Sequence, residues 1–108
     1  MFKLTFFVPQ NKLETVKDAL FHVGAGKIGN YDHCCFQLKG EGQFRPLPGS
    51  NPHIGGVGEI EKVIEFRVEM ILEERIVSFA LEALLNSHPY ETPAYDLQRI
   101  YTLQDFES

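Results

Sequence analysis

The imidazole and thiol groups of this sequence are His22, His33, Cys34, Cys35, His53 and His88. They form neither a C-x-x-C nor an H-x-x-x-H pair, so no contiguous zinc motif is present. A divalent metal ion would need His33 or Cys35 to converge in space with His53 or His88, and these four are the candidate metal ligands. The plainer reading makes Cys34 a small core residue, Cys35 a strand residue at an interface, and the histidines loop or element-end residues. Neighbouring cysteines have α-carbons about 3.8 Å apart, below the usual disulfide range of about 4.4 to 6.8 Å. A disulfide framework is therefore excluded, in keeping with a reducing, cytoplasmic compartment.

Gly24-Ala25-Gly26-Lys27-Ile28-Gly29 spells the dinucleotide fingerprint G-x-G-x-x-G. That motif works when it follows a strand and opens a helix, so that a phosphate meets the helix N-terminus. Here it follows an apolar pattern of helical period and precedes a strand pattern, which makes it a helix stop and turn.

Two further runs carry polar groups on stiff backbone. His88-Pro89-Tyr90-Glu91-Thr92-Pro93 pairs an imidazole with a carboxylate as base and orienter, but no embedded nucleophile accompanies them. Its alternative role is a rigid connection whose polar groups satisfy backbone at a subunit contact. Residues 40–58 hold six of the nine glycines and three of the six prolines, and exceed the roughly 12 to 15 residues normal for a structureless loop. They read either as a β-hairpin arm turning at Pro48-Gly49-Ser50-Asn51 and reaching another protomer, or as a ligand loop contributing Arg45 and His53. The candidate ligand-binding residues are Arg45, His53, His88, Tyr90 and Glu91. No catalytic residue is assigned, because no nucleophile, base and oxyanion donor assemble.

The elements that must position these groups follow from periodicity. Phe2 to Val8 alternates apolar and polar as a strand, and Pro9 ends it. Leu13, Val16, Leu20 and Val23 predict a helix over about 12–23, with Asn11 as N-cap and Gly24 as stop. A second strand is predicted over about 32–39, with Cys34, Phe36 and Leu38 on one face and Cys35 and Gln37 on the other, and a short strand at 43–45. Ile64, Phe66, Val68 and Met70 alternate with Glu65, Arg67 and Glu69 in a strand over 62–72. A helix over about 74–86 presents Ile76, Ala80 and Leu84, its stripe widened by Phe79, Ala83 and Leu85, and a last strand spans about 94–102.

This order, βαβ then βαβ with a long connection between, predicts an α+β ferredoxin-like sandwich with both helices on one sheet face. The uncovered face would show Phe7, Cys35, Gln37, Glu65, Arg67, Glu69 and Ile71, and is expected to pack against other subunits. With 108 residues the chain reads as one domain. Its net charge of −5 offers no basic stripe for nucleic acid. No apolar run is long enough to cross a membrane.

Taken together these segments resemble the YqfO-like family, stand-alone relatives of the domain inserted in Nif-three-like dinuclear-metal proteins, and more distantly CutA. The resemblance rests on Phe6-Val8-Pro9, Gly24 to Asp32 with Cys35-Phe36, Gly40 to Pro46, Gly49 to Pro52, Glu69, and His88 to Asp96. It implies a fold related to CutA and the PII signalling proteins, and a homotrimer with sheets facing inward. CutA proteins carry a Trp in the central hairpin and this chain has none. The flanking histidines and acids that hold two metals in Nif-three-like proteins are not in this chain either, so fold and assembly carry over and chemistry does not. The expected function is a non-catalytic trimeric PII/CutA-like module binding a small molecule or ion at subunit clefts, with a regulatory role. The alternatives are a protein-interaction domain docking on a metal-dependent hydrolase, and a divalent-metal-binding protein of the CutA kind.

Overall fold

The computed structural model describes residues 1–107. Strand β1 (Phe2–Pro9) lies inside the sheet, and its Leu4, Phe6 and Val8 have no exposed surface. A 3-10 turn at Gln10–Lys12 leads into helix α1 (Leu13–His22). Asn11 sits within that turn and caps nothing, because the Leu13 N–H bonds back to the Gln10 carbonyl. Leu13, Val16 and Leu20 form the buried stripe of α1. The helix stops at Gly24, whose φ of +104° a side chain would strain, while the Gly24 and Ala25 amides bond the Phe21 and Leu20 carbonyls.

The glycine-rich run is a turn, as its place after a helix predicts. The Gly26 N–H donates to the Ile71 carbonyl at 2.8 Å and its carbonyl accepts from Cys34 N–H at 2.9 Å. A Cβ on Gly26 would stand 2.7 Å from the Cys34 carbonyl oxygen and 2.9 Å from the Phe21 ring, so only glycine fits this close passage.

That tether holds residues 32–35 in the turn and delays strand β2 to Phe36–Phe44, later than the predicted 32–39 and continuous with the predicted segment at 43–45. The phase of β2 changes with it. Phe36 pairs with Glu69 and Leu38 with Arg67 on strand β3 (Glu61–Leu72), which puts both apolar side chains on the open face beside Phe7. Gln37 faces the helices, where its Oε1 accepts from Lys17 Nζ at 2.9 Å, and Cys35 packs against the core. The open face therefore displays Phe36 and Leu38 instead of the expected Cys35 and Gln37.

Helix α2 (Val77–Ser87) follows a 3-10 turn at Glu74–Ile76. Ile76, Ala80 and Leu84 are buried and Ala83 packs beside them, but Phe79 and Leu85 face solvent, because α1 and the sheet cover only one side of α2. Strand β4 (Tyr95–Arg99) is shorter than expected and pairs with β1. The sheet order is β2-β3-β1-β4 with every neighbouring pair antiparallel, and both helices share one face: an α+β ferredoxin-like arrangement. Each fully buried Leu or Phe of the layer between contributes about 1.5 to 3 kcal/mol.

Strand β1 ends where Pro9 meets Glu65, so beyond that point β2 and β3 run on alone as a two-stranded ribbon. This ribbon stretches the molecule to 55 × 23 × 22 Å and leaves Ile64 half in solvent. No helix is long and apolar enough to cross a membrane among the described residues.

Candidate functional site

The segment after α2 is held in place by one imidazole. Ser87 ends the helix with its hydroxyl on the Ala83 carbonyl at 2.7 Å, and Pro89 prevents continuation. His88 is buried. Its Nδ1 accepts the Tyr90 N–H at 3.1 Å, so the proton sits on Nε2, which donates to the Phe7 carbonyl at 2.6 Å. Burial lowers its pKa; the Phe7 bond and the Glu65 charge oppose that effect, and His53 adds to it. His88 is thus a neutral brace between β1 and the 88–93 segment. With both nitrogens on backbone, it offers none to a substrate or metal.

The ribbon tip folds back toward the same segment. Residues 45–60 have no regular element, but the Gly58 N–H closes their base on the Pro46 carbonyl at 2.8 Å. A turn at Leu47–Ser50, one residue ahead of the predicted one, is fixed by the Ser50 N–H and hydroxyl on the Leu47 carbonyl. The Asn51 N–H then donates to the Glu91 carboxylate at 3.0 Å. The tip is therefore tied to its own chain.

Between ribbon, tip and the 88–93 segment lies an open cavity of about 650 Å³, lined mostly by apolar surface. Arg45, His53, Tyr90 and Glu91, four of the five residues singled out from sequence, line it, and His88 stands behind its wall. Tyr90 is central: its ring lies 4.9 Å from that of His88, 6.0 Å from Phe44 and 6.3 Å from His53. Its hydroxyl is buried and makes no close hydrogen bond, with the Glu65 carboxylate as its neighbouring acceptor. Burial and the neighbouring Glu65 carboxylate hold the phenol above its ordinary pKa, so it stays protonated at neutral pH.

Sequence reasoning missed Glu65, Phe7 and Phe44, which also line the cavity. The pointer to Glu65 is the pair of glycines in β2: Gly40 stands opposite it, and a Cβ on Gly42 would run into its carboxylate. The glycines open the space that the carboxylate occupies.

The four candidate metal ligands are not brought together. His33 lies beside Asp32 at 3.2 Å and against Phe21, Cys35 packs on the core, His53 lines the cavity and His88 is occupied by backbone. Among the described residues no three His, Cys, Asp or Glu side chains form a group able to hold a metal ion.

No family model matches the chain. It is 46% identical over 97 residues, 90% of its own length, to the GTP cyclohydrolase 1 type 2 homolog of Halalkalibacterium halodurans, of which it spans only 26%. Among solved structures, the Bacillus cereus protein related to NIF3 matches 89% of this chain and 24% of its own at 40% identity, with a TM-score of 0.76. The periplasmic divalent cation tolerance protein CutA from Archaeoglobus fulgidus superposes over 98% of this chain and 91% of its own, with a TM-score of 0.68 at 17% identity, a likeness of fold alone. The chain is homologous to the YqfO-like, NIF3-related proteins over a segment of about a quarter of their length, and it carries a CutA/PII-like fold.

Proposed function

We propose that the chain is a non-catalytic homotrimeric module of the PII/CutA type that binds a small molecule or ion at the cleft beside Tyr90, with regulatory consequences. The observation that carries this reading is the cavity, where a buried hydroxyl and two carboxylates lie among aromatic rings. Bound ligand would brace the ribbon against the 88–93 segment, a geometry suited to sensing. His88, behind the wall, is spent on backbone and is not free to act as a base there, which favours binding over catalysis. Self-association is supported by Phe36, 60% exposed, and Leu38, 46% exposed, on the open sheet face. The test is a melting-temperature panel against divalent ions, small anions and nucleoside triphosphates, with sedimentation at micromolar concentration. A ligand-dependent rise abolished by His53→Ala or Glu91→Gln is expected, and a flat response throughout would overturn the binding role.

A second reading has its own observation: the matched relatives are about four times longer than the segment they share with this chain. In that reading the fold is an interaction domain docking on a metal-dependent hydrolase. Native mass spectrometry of the chain mixed with the remaining portion of the Halalkalibacterium relative tests it, a 1:1 subunit ratio supporting docking. The divalent ions of the panel test the third alternative, metal binding of the CutA kind.

A further inference from the structure

The floor of the cavity has an unmatched charge. Glu65 is half-buried on the open face, and no Lys, Arg or His pairs with its carboxylate among the described residues. Arg67, on the same face two residues on, turns to Glu69 at 3.6 Å. A half-buried carboxylate without a cation is costly unless donors reach it. The β2 glycines make room for it, since the carboxylate itself occupies the place a Cβ on Gly42 would take. Beside it lies the buried Tyr90 hydroxyl, which makes no close hydrogen bond and has the Glu65 carboxylate as its neighbouring acceptor, and Phe44 and Tyr90 line the same space. A carboxylate among aromatic side chains presents what a flat cation needs: an acceptor for its N–H groups and π-faces for its charge.

We propose that Glu65 and Tyr90 form the recognition floor for a small organic cation of the guanidinium or amidinium class, whose paired N–H groups meet the Glu65 carboxylate while the Tyr90 hydroxyl takes a further polar contact. The inference rests on the cleft reading above and names its ligand chemistry. A metal ion suits the floor less well, because no third His, Cys, Asp or Glu joins it.

The test is isothermal titration of the full chain with three phenyl compounds of similar shape. Benzamidine supplies a flat cation with paired N–H groups, phenyltrimethylammonium a cation without them, and benzoate the opposite charge. Benzamidine is expected to bind tightest and benzoate weakest. Glu65→Gln, which keeps shape and removes charge, is expected to weaken benzamidine by about tenfold or more, and Tyr90→Phe by a smaller factor. Glu65→Asp, with the charge kept but withdrawn, serves as the second variant, and melting curves establish that each is folded. Benzamidine binding equally well to folded Glu65→Gln would overturn the inference. Benzoate binding without benzamidine would overturn it too and leave the cleft reading standing. Failure of all three compounds would also overturn it, and the cleft reading would fall with it only if the ion and nucleotide panel were flat as well.

Discussion

Under the helices, Leu4, Phe6, Val8, Val16, Leu20, Val68 and Leu84 have essentially no exposed surface, and pairs such as Lys17 with Gln37 satisfy the polar groups at the margin. At the ribbon end the pattern inverts. The buried Tyr90 hydroxyl, which makes no close hydrogen bond, is there, as is the Glu65 carboxylate, which has no ion pair among the described residues. The helical half is optimised for stability, and the ribbon half keeps groups that are expensive to hold unless something binds them. His88 joins the two, with its ring on the Phe7 carbonyl of the central strand and on the Tyr90 amide of the cavity wall.

The two halves should answer substitution differently in denaturant unfolding at one fixed protein concentration. The largest effect belongs to the helical half: Leu20→Ala or Phe6→Ala should lower stability by about 3 to 5 kcal/mol, since a void there has no way to collapse. A loss below about 1 kcal/mol would show that this layer is not the core. At the joint, His88→Gln should cost about 2 kcal/mol through the two backbone bonds it loosens. Its pH signature is separate. The folded state keeps His88 neutral at pH values where the unfolded chain takes up a proton, so stability holds above the ordinary value of 6.5 and falls as the pH drops through it toward the lower folded value. Melting curves between pH 8 and pH 5.5 should show that decline in the parent chain and a shallower one in His88→Gln.

In the ribbon half the sign reverses. Tyr90→Phe removes a buried hydroxyl that makes no close hydrogen bond and should raise stability by up to about 1 kcal/mol, a gain that no core substitution of equal size should match. A loss instead would mean that the hydroxyl donates to the neighbouring Glu65 carboxylate in solution. The smallest effect is at the tip: Ile60→Ala, at a residue 60% exposed, should change stability by less than about 0.5 kcal/mol.

The helical half was the more legible in sequence, and the reason is physical. β1 and β3 each bury one face, so Leu4-Phe6-Val8 and Val68-Met70-Leu72 print their period directly, and α1 does the same at Leu13, Val16 and Leu20. β2 did not: Phe36 to Phe44 carries two glycines and sets its large apolar residues on the open face, so its composition does not say which side is in. Phe79 and Leu85 misled in the same way, apolar residues on the solvent side of a helix. In the ribbon half, Arg45, His53, Tyr90 and Glu91 stood out because functional groups among prolines and glycines are conspicuous. Glu65 stayed hidden as an ordinary polar position of an alternating strand, since its place in the cavity depends on the register with Gly40. The role of His88 depends on a carbonyl 81 residues away.

The open face that these two halves share leaves Phe36 and Leu38 exposed, and the proposed trimer would cover them. Sedimentation equilibrium of the purified chain tests this most directly. The account predicts a species of about three times 12.3 kDa at micromolar concentration that dissociates on the double substitution Phe36→Ser and Leu38→Ser; a mass of 12.3 kDa throughout that range would contradict it.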